Sequence, residues 1–152
     1  MGRYDKTICE IRKFNRFYTV NMGLLDAGYL DTEYSVVETR ILFEMMMHEK
    51  CIQSDLAKAL RIDKSYLSRL VKRFHKNGLI EKEKSCEDKR TAYLTLTEKG
   101  STETERLVEL TNKRIRAKIH SLSADDCDAL CGAMNRIISI LGKEDAYESN
   151  SI

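Results

Sequence analysis

Between Asp63 and Gly78 the chain reads DKSYLSRLVKRFHKNG, a stretch that admits few folds. Leu67, Leu70, Val71 and Phe74 fall at i, i+3, i+4 and i+7, which makes one apolar stripe on a helix. Opposite it lie Ser65, Arg69, Lys72 and Lys76, flanked by Ser68 and Arg73, and that exposed face contains no acid. Asp63 suits the N-cap, where a carboxylate accepts from the free amides of the first turn, and Asn77-Gly78 suits the stop. A helix so sharply divided must lay its stripe on a core and leave a basic surface in water.

Its neighbours supply that core. SVVE at 35–38 has the capping-box pattern, so a helix starts there and runs through Met45, Met46 and Met47. Residues 51–52 read as briefly extended, and 53–60 as a short helix with Leu56, Ala57 and Leu60 on one face. Arg61, Ile62 and Asp63 form the tight turn into the basic helix. After Gly78 the segments 79–85 and 91–97 flank a CEDKR turn, with Ala92, Leu94 and Leu96 on one side of the second, which predicts a β-hairpin. Helical spacing recurs at 5–25, where Gly23 and Gly28 break it, at 98–120 behind a Thr97 cap, and at 124–141 behind a Ser123 cap.

Short helix, turn, basic helix and hairpin is the order of a winged helix-turn-helix. The predicted fold class is mainly α with a small β-hairpin, the winged unit flanked by terminal dimerisation helices. The organisation expected is a DNA-binding lobe over 33–100, a helical dimerisation region over 1–32 plus 101–145, and a flexible tail at 146–152. Pairing the terminal helices of two copies would bury their apolar seams and present two reading heads about a two-fold axis.

Charge is informative in its placement. The whole chain carries a formal net charge of +2, yet residues 61–90 hold ten Lys or Arg against five Asp or Glu. One thirty-residue window thus carries the electrostatic footprint that nucleic acid requires. The five cysteines form no CxxC pair and are expected to remain thiols. No apolar run is long enough to span a bilayer, and MGRYDKTICE lacks the apolar core of a signal peptide, so the expected location is cytoplasmic. His48, His75 and His120 are scattered along helices and form no triad, so no enzyme is predicted, and no metal or other cofactor.

The stretch LAKALRIDKSYLSRLVKRFHKNGLIEKEKSCEDKRTAYLTLTEKG resembles the MarR family of multiple-antibiotic-resistance regulators. The family's wing signature, D-x-R and then Leu-Thr after five residues, occurs as Asp88, Arg90, Leu96 and Thr97. The resemblance implies a sequence-specific regulator of transcription, in the usual case a repressor released by a small ligand. It implies a homodimer on double-stranded DNA with a pseudo-palindromic site, and no membrane. It places Arg90 in the minor groove with Asp88 as its orienter.

Within that frame Ser65, Ser68 and Arg69 are the candidates for base edges. Lys72, Arg73, Lys76, Lys82, Lys84, Lys89 and Ser54, with Gln53 beside it, are the candidates for phosphates. A small aromatic or anionic effector would sit between the lobe and the dimer helices, with Phe14, Tyr18, Tyr34 and Met46 as candidate lining.

Two alternatives stay open. Residues 11–30 also resemble the regulatory half of MarR–GNAT acetyltransferase fusions, although no two glycines stand one residue apart to cradle a pyrophosphate. Cys9, near Lys6, Arg12 and Lys13, lies roughly where peroxide-sensing members carry a reactive thiol, which would make the chain a redox-sensing repressor.

Overall fold

The capping box at SVVE forms: the Ser35 hydroxyl accepts from the Glu38 amide at 3.2 Å and the Glu38 carboxylate accepts from the Ser35 amide at 2.7 Å. The structure, a computed structural model, describes residues 2–143, so the tail expected at 146–152 lies outside the described residues. In chain order the elements are α1 (Arg3–Asn21), α2 (Val36–Met47), β1 (Cys51–Ile52), α3 (Gln53–Leu60), α4 (Lys64–Lys76), β2 (Ile80–Lys84), β3 (Ala92–Leu96), α5 (Glu98–Ile119) and α6 (Ala124–Leu141), with a single 3-10 turn at Tyr29–Asp31. The chain divides into two units, Met1–Arg114 and Ile115–Ile152.

The core of the first unit is built from the stripe expected on α4. Leu67, Leu70, Val71 and Phe74 are buried with Ile41, Leu42 and Met45 of α2, Leu56 and Ala57 of α3, and Leu94 and Leu107. The α3–α4 turn is tight because Arg61 adopts a left-handed conformation (φ 51°), which lets the Arg61 and Ile62 amides close on the carbonyls of Lys58 and Ala57. Asp63 caps α4 by accepting from the Tyr66 amide at 2.9 Å. Asn77 and Gly78 (φ 73°) end it.

The sheet holds one more strand than the hairpin predicted from sequence. Its order is β1-β3-β2, with β3 in the middle: Lys82 faces Leu94 from one side and Cys51 faces Leu94 from the other. β1 is two residues long, too short to show a period of its own. α1 stops at Asn21, short of the expected residue 25, because Gly23 takes φ 67° against Arg114 and turns the chain there. Asp26 then holds Arg114 at 2.5 Å.

The start of α5 clamps the end of α4. Thr97 donates its hydroxyl to the Gly78 carbonyl at 2.6 Å and its amide to the Leu79 carbonyl at 3.0 Å, and the Lys99 ammonium reaches the Asn77 carbonyl at 2.8 Å. Gly100 lies so close that a Cβ there would stand 1.9 Å from the Leu79 oxygen.

Ahead of α2, the buried Tyr34 phenol lies beside Glu103 of α5, whose carboxylate is held by Arg106 at 2.6 Å and is shifted below the usual range by that hydrogen bond. Burial, with Glu103 and Glu33 adding repulsion, pushes the Tyr34 hydroxyl up to about 12. The folded state therefore keeps the phenol neutral. An unfolded tyrosine titrates near 10, so the contribution of Tyr34 is intact below about pH 10 and is lost as pH rises through about 12. Urea unfolding at about pH 9 and about pH 11 is expected to show about 1.4 kcal/mol more loss in the wild type than in Tyr34→Phe. Equal losses would show that the phenol titrates normally.

Among the described residues no helix is long and apolar enough to cross a membrane. In the second unit α6 begins with Ser123 accepting from the Asp126 amide at 3.0 Å and buries none of its residues. α1 in the first unit also buries none.

Candidate nucleic-acid interface

With its stripe committed to the core, α4 turns Ser65, Arg69, Lys72 and Lys76 to solvent, while Ser68 is half-buried at the border. The absence of acids on this face leaves the cations unneutralised within the helix, and the positive end of the helix dipole adds to them at Ser65. Tyr66 packs its ring against the core and carries the Arg69 guanidinium over its face, 5.6 Å from the centroid. That contact limits where Arg69 can point.

The hairpin tip is a braced turn. The Ser85 hydroxyl accepts from the amides of Glu87 and Asp88, at 3.2 and 3.3 Å. The Asp88 carboxylate accepts the Arg90 amide at 2.9 Å and the Thr91 hydroxyl at 3.3 Å. Asp88 thus orients Arg90 through its backbone, an Asx-type turn that leaves the guanidinium exposed. Lys84 and Lys89 are exposed on either side of the tip.

These pieces share one cleft. A groove of about 260 Å³ is lined by Gln53 and Ser54 at the start of α3, Lys64 and Leu67 of α4, and Lys82, Arg90, Thr91 and Ala92 of the hairpin. Three cations, one from α4 and two from the hairpin, converge there beside two helix N-termini, and among the described residues Gln53 Oε1 is buried without a partner. The arrangement can bind a polyanion along its length.

Arg73 does not join that groove. Its guanidinium meets the carboxylate of Glu38, a residue only 4% exposed on α2. Sequence reasoning missed this pair because the partners lie far apart in the chain. It also missed Lys50, which sits 4.3 Å over the Tyr93 ring and 3.3 Å from Glu83 and so ties the residue before β1 to the tip-side half of the hairpin.

The expected effector residues fall in three settings. Tyr34 is buried in the core, and Phe14 and Tyr18 stack on each other at 5.5 Å along exposed α1. Met46 lines an open cleft of about 550 Å³ with Arg40, Phe43, His48, Val108 and Thr111. Cys9 is exposed on α1. Among the described residues no group of three or more His, Cys, Asp or Glu is placed to hold a metal ion.

Comparison with known proteins agrees with this geometry. The model of the MarR family matches residues 30–91. The HTH-type transcriptional regulator BilQ of Clostridium symbiosum is 46% identical over 50 residues, which cover 33% of this chain and 35% of that one. The chain therefore matches about a third of that relative's length. Among solved structures, a cysteine-to-serine variant of MarR from E. coli complexed with operator DNA superposes with a TM-score of 0.70 at 19% identity, covering 91% of this chain and 99% of the other. BpsR of Bordetella bronchiseptica, described with regulation of its DNA binding by 6-hydroxynicotinic acid, gives 0.67 at 17% identity over 83% and 96%. At these identities the structures share the fold.

Proposed function

We propose that this chain, which belongs to the MarR family, is a homodimeric, sequence-specific DNA-binding regulator of transcription that uses α4 and the hairpin as one reading surface. The observation that carries this is the convergence of Lys64, Lys82 and Arg90 in one groove beside the acid-free face of α4. Helix α4 is the right width for the major groove, and its N-terminal half carries Ser65 and Arg69 toward base edges, with Ser68 at the border. Lys72 and Lys76, farther along, meet phosphates, as do Ser54, Lys84 and Lys89. Arg90 enters the adjacent minor groove, where the negative potential is concentrated and a guanidinium is favoured. Asp88 fixes the peptide from which it projects.

The exposed apolar faces of α1 and α6 support a two-fold dimer on a pseudo-palindromic site. Repression is the family's usual mode, and a small aromatic or anionic effector would act by favouring head spacings that no longer match successive major grooves. The cleft at Met46, with Arg40 and His48 at hand, is the place in this chain that suits such a molecule.

The test is Arg90→Ala, titrated by gel shift against duplexes selected from a random pool. The side chain is exposed, so the fold is retained, and binding is expected to weaken about tenfold or more, the size of one lost base contact. Unchanged affinity would remove the hairpin from the interface.

A further inference from the structure

We infer that Glu38 is a positioning residue for α4 and that Arg73, although it stands on the same helix as the DNA-facing cations, is a tether and touches no phosphate. The inference rests on the regulator reading and names what holds its reading helix in place.

Glu38 is a charged side chain within the core, 4% exposed. Its two oxygens have different tasks. Oε2 accepts the Ser35 amide at 2.7 Å and closes the capping box of α2, while Oε1 meets Arg73 Nη2. Apart from that ion pair Oε1 has no hydrogen-bond partner among the described residues. A buried carboxylate oxygen left alone is costly, so the first turn of α2 and the second half of α4 are held at whatever offset lets this pair form.

Helical geometry explains why the tether does not disturb the reading face. Arg73 precedes Phe74 and follows Leu70 by three, so it emerges at the edge of the apolar stripe, toward α2. Lys72 and Lys76 emerge farther round, opposite the stripe, while Arg69 stands one turn before Arg73 and about 40° from it. Two consequences follow. The Arg73 guanidinium, on a side chain 53% exposed, is engaged by the buried Glu38 carboxylate, and rotation of α4 about its own axis, which would swing Ser65 and Arg69 off their base edges, is opposed by a contact at the edge of the reading face. Hydrophobic packing alone resists such rolling weakly, because a stripe of Leu, Val and Phe tolerates small rotations.

The experiment compares wild type, Glu38→Gln and the double variant Glu38→Gln/Arg73→Gln by fluorescence anisotropy, on a selected duplex and on its scrambled counterpart, across a salt series. Glutamine at 38 still accepts the Ser35 amide, so the cap survives. The double variant leaves no buried charge unpaired and so avoids the folding defect that Arg73→Gln alone would risk. Circular dichroism confirms unchanged helicity before titration.

The double variant is expected to keep the wild-type slope of log affinity against log salt. A slope shallower by about 0.9 would show that Arg73 neutralises a phosphate and would overturn the tether. Glu38→Gln is expected to lower the ratio of selected to scrambled affinity about tenfold, as when one bidentate base contact is lost. An unchanged ratio would overturn the positioning role. Wild-type protein that binds neither duplex would instead bring down the regulator reading, and this inference with it.

Discussion

Gly100→Ala is expected to destabilise the protein by about 3 kcal/mol, although alanine is the better helix former by about 1 kcal/mol. The added Cβ would stand 1.9 Å from the Leu79 carbonyl oxygen and 2.8 Å from its carbon, both backbone atoms that no rotamer change can move. The start of α5 must back away, which stretches the Thr97 amide bond to Leu79, the Thr97 hydroxyl bond to Gly78 and the Lys99 bond to Asn77. Each is worth about 1 kcal/mol and the overpacking itself about 1–3 kcal/mol, so the loss exceeds the gain in propensity. A domain of this kind holds on the order of 5–15 kcal/mol in all, so the effect should be plain in urea unfolding followed by circular dichroism. Wild-type stability in Gly100→Ala would mean that α5 does not bear on α4 as described.

The second large effect is expected from Ile138→Glu in α6. Ile138 is 68% exposed, and Leu130, Met134, Ile137 and Leu141 accompany it at helical spacing without being buried. In a two-fold dimer that face is covered, and a carboxylate placed in it cannot be solvated. Glutamate is a good helix former, so the helix itself survives. Sedimentation should then report a monomer. A monomer offers one reading head, and losing the second intramolecular binding step should weaken operator binding by about 10²–10⁴-fold. A variant that stays dimeric at full affinity would place the dimer contact elsewhere.

What could be read in advance was whatever depends on neighbours in sequence. The caps at Ser35, Asp63 and Ser123 rest on a side chain reaching three residues ahead, and the α4 stripe on spacings of three and four, so all appeared as expected. The exposed placement of Ser65, Arg69, Lys72 and Lys76 followed from the same wheel. What stayed hidden was long-range or too short to be periodic. The extended segment at 51–52 was legible, but its pairing with β3 as a third strand was not. Nothing local distinguishes Arg73 from Lys72, so its ion pair with Glu38 on another helix was not legible. The Asp88–Arg90 relation was legible in kind, but its route through a backbone amide was not. Phe14 and Tyr18 read as candidate lining, and their place on the exposed face of α1 was not legible, because a single chain's sequence does not say which apolar faces await a second copy.

The strand order has a bearing on how copies of this protein tolerate one another. With β3 flanked on both sides, the long open edge of the sheet belongs to β2, whose sequence IEKEK leaves four alternating charges exposed. An edge studded in this way repels strand addition, whereas an apolar one would invite neighbouring molecules to zip together. Molecules crowded side by side along one duplex can therefore sit close without fusing into a continuous sheet.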